Sequence, residues 1–184
     1  MEKDRENMDE RNLVNMARDG DDGAFEDLVR LHQKAVYAFV YRLSGNRDDA
    51  AEVVQNAFIK AYRSMGRFRG ESSFKTWLYR IAVNTFRNHL RDEARRRHLP
   101  IDEKVLPSDD DVFAAVSERQ ERGMVQRAMS DLPPRQREAL VLRINEGYRF
   151  SEVADIMKCS VGAAKANYHQ AVRKLKVIIG GRGN

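Results

Sequence analysis

Apolar residues recur at helical spacing along most of the chain, and no segment shows the clear alternation of a strand. Phe25, Leu28, Val29, Val36, Tyr37, Phe39, Val40 and Leu43 predict an amphipathic helix over Leu28–Leu43 that starts near Asp22. Ser44-Gly45-Asn46 breaks it. A second helix is expected over Arg47–Met65, with Ala50, Val53, Val54, Ala57, Phe58, Ala61 and Tyr62 on its buried side. Gly66–Ser72 reads as a loop. Ser72 or Ser73 stands where it would cap a third helix running to about Arg96. Periodicity is then lost over His98–Asp111, which holds Pro100, Pro107 and the run Asp109-Asp110-Asp111. That composition predicts an extended linker.

Helical spacing resumes over Val112–Met129. Pro133-Pro134 fits the first turn of a helix reaching about Asn145, because a missing N–H costs little there. Gly147 marks a turn and Phe150–Met157 a short helix. Lys158-Cys159 is a tight connection, and Ser160 would cap a last helix from Val161 to about Ile179. The expected fold is all-α, with two small helical domains at residues 22–97 and 112–180. They are joined by the linker at 98–111 and flanked by an acidic segment at 1–21 and a tail at 181–184. For the first 20 residues disorder is the default expectation.

Of the 184 residues, 42% are hydrophobic and 33% charged, enough for one or two small cores. No run approaches the roughly 18 apolar residues of a membrane span. Met1–Glu10 is charged throughout and reads as no secretory signal. The single cysteine, Cys159, excludes an intrachain disulfide, fits a reducing cytoplasm and suits a turn. The net charge of +5 hides a segregation. Met1–Asp27 has 4 basic against 10 acidic residues, and Lys60–Arg97 has 11 against 3. His98–Arg122 has 3 against 7, and Gly123–Asn184 has 11 against 5. Two basic blocks separated by an acidic stretch are electrostatic footprints for a polyanion.

The C-terminal helices give that footprint a shape. A short helix, a tight turn and a longer basic helix make a helix-turn-helix candidate, and small Ala154 allows the close crossing. On the last helix Val161, Ala164, Tyr168, Ala171, Val172, Leu175 and Ile178 share one side. Lys165, His169, Arg173 and Lys176 share another, flanked by Ala166 and Gln170. The second side suits a major groove, early members reaching bases and later ones phosphates. In the first domain Arg80, Asn84, Arg87, Arg91 and Arg95 line one side of the third helix. Phe74, Leu78, Ile81, Ala82, Thr85 and His89 line the other. Aromatics beside a basic groove stack unpaired bases. Trp77 borders the apolar side and reads as core, so Phe68, on its Gly-flanked loop, is the better stacking candidate. Catalysis finds no support: there is no phosphate loop, nucleophile elbow or CxxC, and His32, His89, His98 and His169 lack metal-ligand spacing. No enzyme activity, cofactor or metal is expected.

Three strings carry a family resemblance. Asp49-Ala-Ala-Glu-Val-Val-Gln-Asn-Ala-Phe-Ile-Lys-Ala-Tyr62, Phe68-Arg-Gly70 and Thr76-Trp-Leu-Tyr-Arg-Ile-Ala-Val-Asn-Thr85 resemble region 2 of extracytoplasmic-function (ECF) sigma factors of the sigma-70 family. Leu132-Pro-Pro-Arg-Gln-Arg-Glu-Ala-Leu140 and the helix-turn-helix resemble region 4. The resemblance spans about Asp22–Leu175. It implies a bacterial initiation factor that binds core RNA polymerase, directs it to promoters and opens the DNA. It further implies polymerase contacts at Asp49, Glu52, Gln55 and Phe58, with Asn56 where the family often has Glu. It assigns the −10 element to Phe68, Arg80, Asn84, Arg87 and Arg91, near an extruded base. It assigns the −35 element to Arg149, Lys165, Ala166, His169, Gln170 and Arg173, with Ala166 and Gln170 where relatives often carry Ser and Arg. The acidic linker would thread the RNA path of polymerase, as a mimic of nucleic acid or as a solvated spacer. Control by an anti-sigma factor is implied, in the cytoplasm or held through that partner at the inner membrane.

Two other readings compete. A stand-alone DNA regulator explains the C-terminal helices but not the second basic block with its aromatics. A helical adaptor for an acidic protein explains charge but not the helix-turn-helix.

Overall fold

The helices begin and end at residues that satisfy their unpaired backbone groups. The computed structural model describes residues 2–97 and 127–180. Helix α1 spans Glu2–Arg18 and α2 spans Asp22–Ser44. Asp21 caps α2, its carboxylate accepting from the Ala24 N–H at 2.9 Å. Gly45, at φ 74°, ends it by donating its N–H to the Tyr41 carbonyl at 2.8 Å. Asn46 caps α3, Arg47–Ser64, accepting from the N–H groups of Asp48 and Asp49. A 3₁₀ turn, Met65–Arg67, leads to the loop before α4, Phe74–Arg97. Of the two candidate serines it is Ser73 that caps α4, accepting from the Thr76 N–H at 3.1 Å.

After a helical turn at 127–130 come α5 (Pro134–Ile144), α6 (Phe150–Met157) and α7 (Val161–Gly180). Pro134 opens α5, and Ser160 caps α7 through the Ala163 N–H. The expected linker over His98–Asp111 and most of the expected helix over Val112–Met129 lie outside the described residues.

The default of disorder for the first 20 residues does not hold, since α1 is a helix packed on α2 and the 3₁₀ turn. Its Ala17 is buried, and Leu13 and Val14 pack partly buried against the core. Glu10 Oε1 lies 3.2 Å from Nε2 of the buried His32 on α2. Charged residues dominate α1, so its sparse apolar stripe was hidden in the composition.

Helices α2, α3 and α4 enclose the first part of the core: Leu28, Phe39 and Leu43, Ala50, Ala57 and Ala61, and Leu78, Ala82 and Phe86. The alanines of α3 let its backbone approach its neighbours closely. The second part is Leu142 of α5, Val153, Ile156 and Met157 of α6, and Ala164 and Ala171 of α7. These two parts form one continuous apolar cluster, because α4 packs on α6 and α2 on α5.

Candidate nucleic-acid interface

The first turn of α3 gathers acid. Asp48 and Asp49 sit where the helix dipole favours negative charge. Beneath them lies His89 of α4, 9% exposed. Its Nε2 is 3.2 Å from Asp49 Oδ1, and its Nδ1 is 3.7 Å from Glu52 Oε1. Asp49, His89 and Glu93 bring one potential ligand atom each within 4.8 Å of one another. Spacing along the chain hid this group, since its members come from two helices. Glu52 and Gln55 face solvent one turn apart, whereas Phe58 is buried at 8% exposure. Phe58 is therefore a core residue, not a surface contact, because position 58 falls on the apolar side of α3 beside Ala57 and Ala61.

Helix α4 carries its apolar side inward as expected, with Phe74, Leu78, Ala82, Thr85 and His89 buried. On the polar side Arg91 and Arg95 are exposed and Asn84 is half-buried. Arg91 is bonded to the Asn88 side chain, and Arg95 lies 3.8 Å from Asp92. The expected burial of Phe68 and Trp77 is reversed. Phe68 is only 7% exposed, with ring centroids 5.0 Å from Trp77 and 6.2 Å from Phe74. Trp77 is the half-buried one. The Phe68 ring closes the core between Phe74 and Trp77, and Gly70, two residues on, turns the chain at φ 71°. A cleft of about 450 Å³ opens beside it, lined by Arg67, Arg69, Trp77, Arg80 and Asp155 among others.

On α7 Lys165, Ala166, His169, Gln170 and Arg173 are all exposed, and Arg149 is exposed just before α6. Gln170 Oε1 accepts from Gln136 Nε2 of α5 at 2.8 Å, which fixes the direction of its amide. Phe150 organises the neighbouring cations: Arg143 sits 5.3 Å and Lys165 Nζ 5.9 Å from its ring centre. Gln136 and Arg143 act through partners a helix away, so periodicity alone could not single them out.

Two expected phosphate contacts, Arg80 and Arg87, are engaged at the junction of the halves. Arg87 Nε donates to Glu138 Oε1 at 2.9 Å, its Nη2 donates to Oε2, and its Nη1 donates to the Met157 carbonyl at 3.2 Å. Glu138 is fully buried. Arg80 donates to Asp155 of α6. Tyr79 OH donates to Glu146 Oε2 at 2.9 Å, with Arg42 at 3.4 Å from the same carboxylate. Burial, followed by the Glu146 charge, pushes the Tyr79 phenol well above its usual range, so it remains a donor at neutral pH. Arg137, 9% exposed, donates to the carbonyls of Leu43, Ser130 and Leu132 and so satisfies a carbonyl at the end of α2. Burial lowers the Arg137 pKa. Among the described residues no helix is long and apolar enough to cross a membrane.

Comparison with known proteins matches both halves. The Sigma-70 region 2 model matches residues 28–96, and the Sigma-70, region 4 model matches residues 122–175. The RNA polymerase sigma-H factor of Pseudomonas aeruginosa is 37% identical over 175 residues, covering 88% of this chain and 89% of its own. The ECF RNA polymerase sigma-E factor of Haemophilus influenzae is 37% identical over 180 residues, covering 90% and 93%. Its namesake from Escherichia coli K12 is 36% identical over 186 residues, covering 90% and 92%. RpoE, solved with the anti-sigma factor NepR from Bartonella quintana, has a TM-score of 0.67 at 25% identity, covering 85% of this chain and 96% of that one. CnrH, solved with the cytosolic domain of CnrY, shares the fold at a TM-score of 0.71 and 24% identity, covering 94% and 98%. With both regions matched and these relatives aligned over most of their length, the chain belongs to the ECF sigma factors of the sigma-70 family and is an alternative sigma factor.

Proposed function

We propose that this sigma factor docks on core RNA polymerase through the exposed acidic and polar stripe of α3, with Asp49, Glu52 and Gln55 as contacts. Phe58 shapes that helix from within. Residues 22–97 form the polymerase- and −10-binding domain and residues 112–180 the −35-binding domain. Asn84, Arg80, Arg87 and Arg91 meet the −10 strand, beside the cleft rimmed by Trp77, Arg67 and Arg69. Phe68 supports that cleft as a buried wall. Arg149, Lys165, His169 and Arg173 meet the −35 duplex, with Ala166 and Gln170 beside them. The chain works by binding rather than catalysis, in the cytoplasm. An anti-sigma factor controls it, in keeping with the partner of RpoE.

The observation that carries the reading is the placement of the α3 acids and the α4 arginines on adjoining helices of one matched region. The test is binding of the full chain to bacterial core polymerase. The double variant Asp49→Arg/Glu52→Arg should abolish binding while the helical circular dichroism stays unchanged. Asn84→Ala should slow promoter opening with polymerase binding intact. Failure of a folded wild-type chain to bind polymerase at all would sink the proposal.

A further inference from the structure

The imidazole of His89 stands at the seam between α3 and α4 with its bonding incomplete. Its side chain is 7% exposed, yet its Nε2 makes no hydrogen bond. A buried polar atom in that state is disfavoured and calls for a partner. Asp49 Oδ1 lies 3.2 Å from Nε2 but off the line that a hydrogen bond would need. Two ligands of one tetrahedral metal are disposed in this way, because they meet at the ion, at about 110°, and not at each other. Glu93 supplies a third atom, and all three lie within 4.8 Å of one another. Ligand atoms around tetrahedral zinc stand about 3.3 Å apart. Rotation of the half-buried Asp49 and Glu93 side chains covers a difference of that size.

The placement follows from helix geometry. His89 and Glu93 are one turn apart on α4 and so share a side. Asp49 reaches them from the first turn of α3. Behind the ring, Nδ1 lies 3.7 Å from Glu52 Oε1. A carboxylate there favours the tautomer with its proton on Nδ1, which leaves the Nε2 lone pair for a metal. Protonation of the ring is the weaker account, since it would put an N–H on Nε2 with no acceptor in line. We propose that Asp49, His89 and Glu93 bind a divalent transition metal of the zinc class, with Glu52 bracing His89 and a fourth position open to water. One imidazole with two carboxylates suits zinc and disfavours magnesium, which prefers oxygen ligands and keeps its waters. The ion ties the first turn of α3 to α4 and stabilises their packing.

The test is calorimetric titration of the full chain with zinc chloride in a chelator-free buffer, without polymerase. One equivalent should bind saturably. Glu93→Gln should weaken that binding about tenfold or more. At a hundredfold excess over the wild-type dissociation constant, zinc should raise the melting temperature by about 5–11 °C, and by about half that or less in Glu93→Gln. Magnesium at the same concentration should give neither signal. Long-range proton–nitrogen NMR spectra locate the ion on the native chain: zinc should shift Nε2 of His89 and leave His32, His98 and His169 unmoved. Absence of one-to-one binding overturns the proposal. So does a shift at another histidine with none at His89, or a Glu93→Gln variant that binds zinc as tightly as the wild type. Polymerase takes no part, so each of these failures leaves the docking of α3 to its own test.

Discussion

Replacing Arg87 by methionine isolates the strongest electrostatic contact between the two halves. The substitution keeps the long apolar stem and removes the guanidinium. Glu138 is fully buried and Arg87 holds both of its oxygens, so the variant strands a charge. Breaking one side of a buried pair costs about 3–5 kcal/mol, far more than the pair contributes relative to an apolar replacement. The lost bond to the Met157 carbonyl adds little, because Arg135 Nη1 also donates to that oxygen at 3.0 Å. The loss should therefore trace almost wholly to Glu138. At 2–4 °C for each kcal/mol in a chain of this size, the melting temperature should fall by about 6–20 °C. Urea denaturation of Arg87→Met, Glu138→Leu and the double variant closes the cycle. Arg87→Met alone should be the least stable, and the double variant should recover most of the deficit. A loss below about 1 kcal/mol in the single variant, or a double variant no better than the single, would refute the argument that the buried carboxylate dominates.

Phe68→Ala should cost about 3 kcal/mol of stability by opening a cavity against Phe74 and Trp77, measured by urea denaturation. A variant as stable as the wild type would return Phe68 to the surface. The hydrogen bond to His32, then its charge, holds the Glu10 carboxyl below the usual carboxylate range despite burial. A depressed carboxyl stabilises the folded form above its ordinary pKa, and that support fades as pH falls through the lowered value. Hydrogen exchange should thus show α1 less protected in Glu10→Gln at pH 7, with the two proteins converging in acid. Lys158, at φ 52°, closes α6 in the left-handed region, so Lys158→Gly should raise stability by about 0.5–1 kcal/mol. A lower melting temperature would instead give the lysine side chain a structural role.

Helix ends and faces were legible because they depend on neighbours within one turn. Asp21, Asn46, Ser73, Ser160 and Gly45 each bond a backbone group at most four residues away, and so both ends of α2 and the starts of α3, α4 and α7 follow from local chemistry. The buried side of α4 was legible for the same reason. Helix α1 was not: its polar majority outweighed a narrow stripe of Leu13, Val14 and Ala17 that becomes meaningful only when α2 lies opposite.

Charge was the part least open to a linear reading. A row of arginines on one side of a helix says that anions belong there, but not which anions. Arg87 and Glu138 stand 51 positions apart, and Arg80 and Asp155 stand 75 apart. Nothing in either segment marks the other as its partner. Glu138 looks like a surface residue of an amphipathic helix, yet it is fully buried and satisfied by one guanidinium. The same ambiguity gives these arginines two possible uses, because a fork that fits phosphate also fits carboxylate. Sequence pattern therefore identifies the anion-binding face, while the fold decides whether a phosphate or an internal acid occupies it.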